Sequence, residues 1–268
     1  MPDNNSFNRL IKARNGFLLY NKNDMYIGKS IEKYGEFSQL EARVFEQICK
    51  DGDVVFEVGA NIGTHTVTLA KLVGEGFVIA FEPQRLVFQS LCANLAINSI
   101  SNVYAFQEAV SNENGTILIP ECDFTKTNNF GGINIENTKK GTLINKIKLD
   151  NFVNRISSLK LLKIDVEGME IGVIEGAVEL IKKFKPIIYV ENDRVEYSKN
   201  LIELLWSLDY KLYWHLPKLY NENNYFKDKE NIFPNLVSVN MFCVHKDTNV
   251  EVSDKLEILD SIFHPMKK

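Results

Sequence analysis

Only four cysteines occur in this chain of 268 residues, Cys49, Cys92, Cys122 and Cys243. They lie far apart, match no paired metal spacing and are too sparse for a disulfide scaffold, which predicts a reduced, cytoplasmic protein. No run of lysine and arginine is present that would track a phosphate backbone, and 31 basic against 35 acidic residues leave a net charge of −4. Nucleic acid is thereby excluded as the main partner. No apolar stretch reaches the roughly 18 residues of a membrane-spanning helix. The start, Met1 to Asn8, is polar and lacks the basic and apolar segments of a signal peptide. Neither a membrane span nor secretion is expected. Internal repeats and Gly/Ser linkers are also missing, so residues 1–268 are read as one domain, with the oligomeric state left open and a homo-oligomer allowed. The remaining composition, 45% hydrophobic and 25% charged, is that of an ordinary globular chain.

Residues 1–50 read as an extension of a β-hairpin and a helix. Gly16 to Tyr20 and Met25 to Ile27 flank the polar Asn21 to Asp24 and are expected to pair as the hairpin. Ser38-Gln39-Leu40-Glu41 has the form of a capping box, followed by Leu40, Val44, Phe45 and Ile48 at helical spacing, which predicts a helix over 39–50. From Asp51 to about Thr248 the chain alternates apolar strands with amphipathic helices, the pattern of a parallel α/β sheet covered on both faces. Strands are expected at 54–58, 77–81, 103–106, 161–164 and 187–190, with helices at 63–73, 84–97, 169–183 and 194–208. Lys182-Lys183 and Pro186 set the end of the third of these helices. Two segments break the rhythm, 111–150 and the Tyr-, Trp-, Asn- and Pro-rich 209–240. Both fall near the carboxyl edge of the sheet, where open parallel sheets bind ligands, so acceptor selection is expected there. The residues after Thr248 are expected to form a terminal helix.

The stretch Val54 to Gly63 runs a buried strand into a glycine-containing turn and a helix, a turn that brings backbone N–H groups to a ligand. Glu82 ends the next strand, where a carboxylate accepts hydrogen bonds from a ribose. Together they indicate an adenosine-containing cofactor. A dinucleotide site wants a middle glycine for close pyrophosphate approach, and that position is Asn61, leaving Gly59 and Gly63. Glu57 precedes the turn and no Lys or Arg lies between Ala60 and Ala70, so an anion is disfavoured and a cationic sulfonium ligand favoured. These features fit S-adenosylmethionine better than NAD. Glu57 also has a plain structural reading, a carboxylate satisfied by backbone amides at a helix N-terminus. Thr64, Pro83, Glu108 and Ala109 complete the expected cofactor-binding set.

A second constellation, Leu161 to Glu170, ends the fourth parallel strand with Asp165 and Glu167. Asp165 can take a proton from a substrate hydroxyl, orient that hydroxyl, touch the cofactor or ligate Mg²⁺, and Glu191 or Asn192 after the fifth strand can share a metal or substrate with it. Glu170 reads as a first-turn charge on the helix dipole and Asp193 as an N-cap.

Phe56 to Gly63, Glu82-Pro83, Asn129-Phe130-Gly131-Gly132 and Leu162 to Glu170 together resemble the FkbM-type S-adenosylmethionine-dependent methyltransferases over about residues 30–192. The resemblance implies a class I methyltransferase fold, a three-layer arrangement around a seven-stranded sheet with its last strand antiparallel. It also implies methyl transfer, mostly to oxygen, on small molecules or sugars. Glu57 stands where many members have Asp, one methylene shorter. Tyr34, Glu36, Phe37 and Ser38 are expected on the same resemblance to close over the methionine end of the cofactor.

Further candidates for the acceptor side are His215 as a general base, with Glu167 and Glu191 beside Asp165, and Asn129, Phe130, Trp214 and Asn240 as substrate contacts. His65 is a weaker catalytic candidate, since it can equally cap its helix. The leading reading is an O-methyltransferase acting on a sugar, glycan or small-molecule hydroxyl. Its rivals are an NAD-dependent sugar oxidoreductase and a non-catalytic cofactor-binding relic.

Overall fold

The computed structural model describes residues 6–133, 138, 140–253 and 255–267. An N-terminal hairpin pairs β1 (Asn8–Ala13) with β2 (Gly16–Asn21), and two helices follow, α1 (Ile27–Tyr34) and α2 (Gln39–Ile48). Then come β3 (Val54–Val58), α3 (Thr64–Val73), β4 (Phe77–Phe81), α4 (Arg85–Ile97) and β5 (Val103–Phe106). A small sheet is built from β6 (Ala109–Val110), β7 (Gly115–Ile119) and β8 (Thr142–Ile147). The chain returns through β9 (Leu161–Ile164), α5 (Glu170–Glu175), α6 (Val178–Phe184), β10 (Ile187–Glu191) and α7 (Val195–Ser207). It ends in β11 (Tyr210–His215), β12 (Asn240–His245) and β13 (Leu256–Glu257).

The main sheet has the order β13-β11-β12-β10-β9-β3-β4-β5. Its pairs from β5 to β10 are parallel, and β12 inserts antiparallel between β10 and β11. This is the expected seven-stranded sheet with its last long strand reversed, plus the short edge strand β13. Alternation along each strand assigns the two faces. Phe56, Ile79, Leu162, Ile188 and Met241 pack under α5, α6 and α7, whereas Val55, Val78, Leu161, Tyr189 and Phe242 pack with α1 to α4. Both faces are thus covered, which is why these strands read as unbroken apolar runs.

Four local expectations are corrected. The hairpin exists, but its strands are Asn8–Ala13 and Gly16–Asn21. Met25 and Tyr26 instead lead into α1, because the Asp24 side chain accepts the Tyr26 and Gly28 amides (2.9 and 3.1 Å) and opens a helix there. The expected helix over 169–183 is two helices, interrupted at Gly176 and Ala177 before Lys185, left-handed at φ 48°, and Pro186 end the second. Ser38 makes no capping box, since it sits at φ 45° and its hydroxyl donates to the Glu41 carboxylate at 2.6 Å. No helix forms among the described residues after Thr248, where Leu256–Glu257 pairs with β11. Among the described residues, no helix is long and apolar enough to cross a membrane.

Candidate active site

A cavity of about 420 Å³ opens over the carboxyl ends of the parallel strands. Its polar residues follow sheet order. Glu108 lies after β5, Glu82 after β4, Gly59 after β3, Asp165 after β9, Glu191 at the end of β10 and Asn240 at the start of the reversed β12. Neighbouring strands are about 4.8 Å apart, so the step from Glu82 to Glu191 spans roughly 14 Å, room for an elongated ligand followed by a second one.

The turn after β3 is shaped for close approach. Gly59 has φ 83°, and a Cβ there would meet the Asp165 carbonyl oxygen at 1.7 Å, so only glycine lets β3 and β9 close at this point. Asn61 is left-handed as well (φ 51°), which turns its N–H toward Glu82 Oε2 at 3.0 Å, while Gln84 N–H donates to Oε1 at 2.8 Å. Both Glu82 oxygens are therefore oriented by backbone, and each keeps acceptor capacity for a ligand. Burial pushes the Glu82 carboxyl up to about 7, with those two amides pulling it back.

A buried charged row lies beneath. Glu57 and Lys163 are register partners across β3 and β9, with Lys163 Nζ 3.9 Å from Glu57 Oε1 and 3.3 Å from Asp165 Oδ2. Thr66 Oγ1 donates to Glu57 Oε2 at 2.6 Å. Glu57 is thus held by a hydroxyl and an ammonium rather than by helix amides, and burial raises it to about 7 against the pull of Lys163. Glu41 from α2 and His65 from α3 also line the cavity, 3.8 Å apart, and burial pushes His65 down to about 3, so it is neutral.

On the far side Asp165, Glu167 and Glu191 each present a carboxylate oxygen within 4.8 Å of the others. Glu167 occupies the left-handed region (φ 55°), which costs a side-chain-bearing residue about 1–2 kcal/mol, and Arg194 Nη2 holds it there with a 2.6 Å hydrogen bond. Burial, reinforced by Asp165, lifts Glu167 to about 7. Glu191 is driven well above the carboxylate range by burial, with Asp165 and Glu167 adding to it.

Of the residues singled out in the sequence, Glu57, Gly59, Ala60, Asn61, Thr64, Glu82, Pro83, Glu108, Ala109, Asp165, Glu167, Glu191, Asn129 and Asn240 all line this cavity. Five others do not. Asn192, one residue past Glu191, turns to the opposite face of the sheet, where its side-chain amide donates to Ser198 Oγ while its backbone carbonyl contacts His264, so it does not reach the cavity. Trp214 is displaced by the same parity and packs edge-on to His264. His215 is on the correct face but lies beyond the wall, bonded to the Tyr189 hydroxyl at 2.7 Å and lowered to about 4 by burial. Phe130 stacks on Phe124 at 4.5 Å, leaving only its carbonyl to accept from Gln84. Gly63 (φ 87°) starts α3 with Leu91 against it. Lys163, Glu41 and Arg194 escaped the sequence reading. Lys163 was available from parity, two residues before Asp165 and hence on its face.

The raised carboxyls carry a stability prediction. Glu57, Glu82 and Glu167 have folded-state values near 7, above their unfolded values, so the native state holds the extra protons and loses stability as pH rises through 7. His65 and His215 are depressed and act oppositely, but only below their unfolded value near 6.5. The thermal midpoint of the ligand-free protein should fall between about pH 6.5 and 8. A scanning-calorimetry series showing it flat or rising would contradict the buried-carboxyl assignment.

A doubly covered parallel sheet with one reversed strand, a glycine turn after the first parallel strand and an acid after the second define a class I methyltransferase fold. The family described as Methyltransferase FkbM domain matches residues 57–212, more than half of the chain. The chain belongs to the FkbM methyltransferase family. It is 25% identical over 147 residues to methyltransferase 1 of Beauveria bassiana, covering 47% of this chain and 59% of that protein. It is 25% identical over 148 residues to the hexuronic acid methyltransferase AglP of Haloferax volcanii, covering 54% of this chain and 59% of that protein. The chain thus spans a little under two thirds of the length of both relatives. A solved FkbM methyltransferase from Methylobacillus flagellatus is 17% identical with a TM-score of 0.46, covering 76% of this chain and 50% of that one.

Proposed function

We propose that this chain uses S-adenosylmethionine to methylate a hydroxyl of a sugar or other small molecule. Glu82 carries the reading. It is a buried carboxylate whose two oxygens are oriented by the Asn61 and Gln84 amides, facing a turn, Gly59 to Thr64, with no cation for a pyrophosphate. A pair of ribose hydroxyls suits its remaining acceptor sites. When bound, S-adenosylmethionine supplies a methyl group on a positively charged sulfur. Glu57 lies beneath that part of the cleft, and Pro83, Glu108 and Ala109 wall the end beyond the ribose. An NAD site would need the glycine that Asn61 replaces.

On the acceptor side Asp165 is the carboxylate suited to take the hydroxyl proton. Its side chain is 42% exposed, whereas Glu167 is committed to Arg194 and burial drives Glu191 well above the ordinary carboxylate range. Positioning accounts for most of the acceleration in such a transfer, and proton removal for the rest. The hexuronic acid methyltransferase among the relatives supports a carbohydrate acceptor. Magnesium has less behind it, because Asn192 faces away and Glu167 is already paired. Labelled S-adenosylmethionine with a panel of glycosides and hydroxylated small molecules, read by mass spectrometry, tests the activity. Methylated product formed equally well in EDTA is the expected result. No product from any acceptor favours the relic, and activity abolished by EDTA favours a metal ligand role for Asp165.

A further inference from the structure

The far wall of the cleft carries information on the acceptor itself. Glu191 and Asn240 are register partners across β10 and β12, so their side chains leave the same face of the sheet with Cβ atoms about 5 Å apart. Both line the cavity, and each has a buried polar atom without a hydrogen-bond partner, Glu191 Oε2 and Asn240 Nδ2. Asn240 is only 3% exposed, so its unpaired amide carries the desolvation penalty of a strong donor, which a ligand can relieve.

The two atoms constrain what can sit between them. Nδ2 only donates, and neither an ammonium nor a metal ion has a lone pair to offer it. A ligand carboxylate has lone pairs but brings a negative charge beside Asp165 and Glu167. Among the described residues of the wall, Lys163 and Arg194 already face carboxylates, and although Arg194 Nε makes no hydrogen bond, its charge is matched by Glu167 and Asp193, so the wall stays net negative against it. A hydroxyl donates and accepts at once, and serves both atoms wherever the Glu191 proton lies. We propose that Glu191 and Asn240 form a hydroxyl-binding subsite that selects a neutral hydroxyl of the acceptor over a carboxylate or an ammonium at that position. This rests on the methyltransferase reading above and goes beyond it in naming the group the acceptor presents there.

Saturation-transfer NMR on the full chain, saturated with S-adenosylhomocysteine, tests it with three probes: methyl glucopyranoside, its 6-carboxylate analogue and its 2-amino analogue. The neutral glycoside should bind about five-fold or more tightly than either charged probe. Asn240→Ala should weaken it about five-fold while S-adenosylhomocysteine affinity, measured by calorimetry on the same sample, stays put. Glu191→Leu repeats the test if the first variant does not fold. Preference for a charged probe, unchanged glycoside binding in a folded variant, or silence from all three probes with S-adenosylhomocysteine bound overturns the proposal. Failure of wild-type protein to bind S-adenosylhomocysteine strikes instead at the methyltransferase reading beneath it.

Discussion

Asp165→Asn is expected to keep its cofactor affinity and lose on the order of 10² in turnover, the lower range for removing a general base. The substitution preserves shape and removes the charge. Asp165 follows β9 between the Gly59 turn and Glu191, and the close contact at Gly59 is to its backbone carbonyl, which the variant retains. Lys163 loses one partner but keeps Glu57 at 3.9 Å, so the buried row is weakened rather than emptied. The loss should therefore appear in kcat at saturating acceptor, with KM little changed, as fits a group engaged in the transfer step. Full turnover in the variant would reduce Asp165 to a structural role at the start of the loop before α5.

Glu82→Ala should weaken S-adenosylmethionine binding about ten-fold or more, from about 1.5–3 kcal/mol for losing a charge-assisted acceptor of two hydroxyls. The substitution also releases the amides of Asn61 and Gln84, so the left-handed Asn61 loses the bond that orients the turn. Glu82→Gln should be nearly as damaging. Both carboxylate oxygens accept from backbone N–H, and a glutamine must point its own NH₂ at one of them. Calorimetry on both variants, with circular dichroism to establish folding, measures this. A glutamine variant of wild-type affinity would mean that Glu82 orients the loop without holding the ligand.

The sheet was legible because each of its parallel strands is an apolar run long enough to be buried on both faces, and the glycine turn and strand-end acids stand at its carboxyl edge. Face parity accounts for two of the misplaced residues, Asn192 and Trp214. One residue separates Glu191 from Asn192 and His215 from Trp214, and in a strand that step moves a side chain to the opposite layer. Counting in twos back from Asp165 would have found Lys163. Glu41 and Arg194 were out of reach, since they come to the cleft from α2 and from the loop before α7 through packing that no local pattern encodes. The N-terminal hairpin was misplaced for a similar reason. Met25 to Ile27 has strand-like side chains, yet the buried Asp24 carboxylate captures the amides that follow and starts α1.

Parallel calorimetric titrations of the wild-type chain with S-adenosylmethionine and with NAD test the central claim most directly. Saturable binding of S-adenosylmethionine at one site per chain, weakened in Glu82→Ala, with no measurable binding of NAD, is the predicted result. Binding of NAD with no response to S-adenosylmethionine would contradict it.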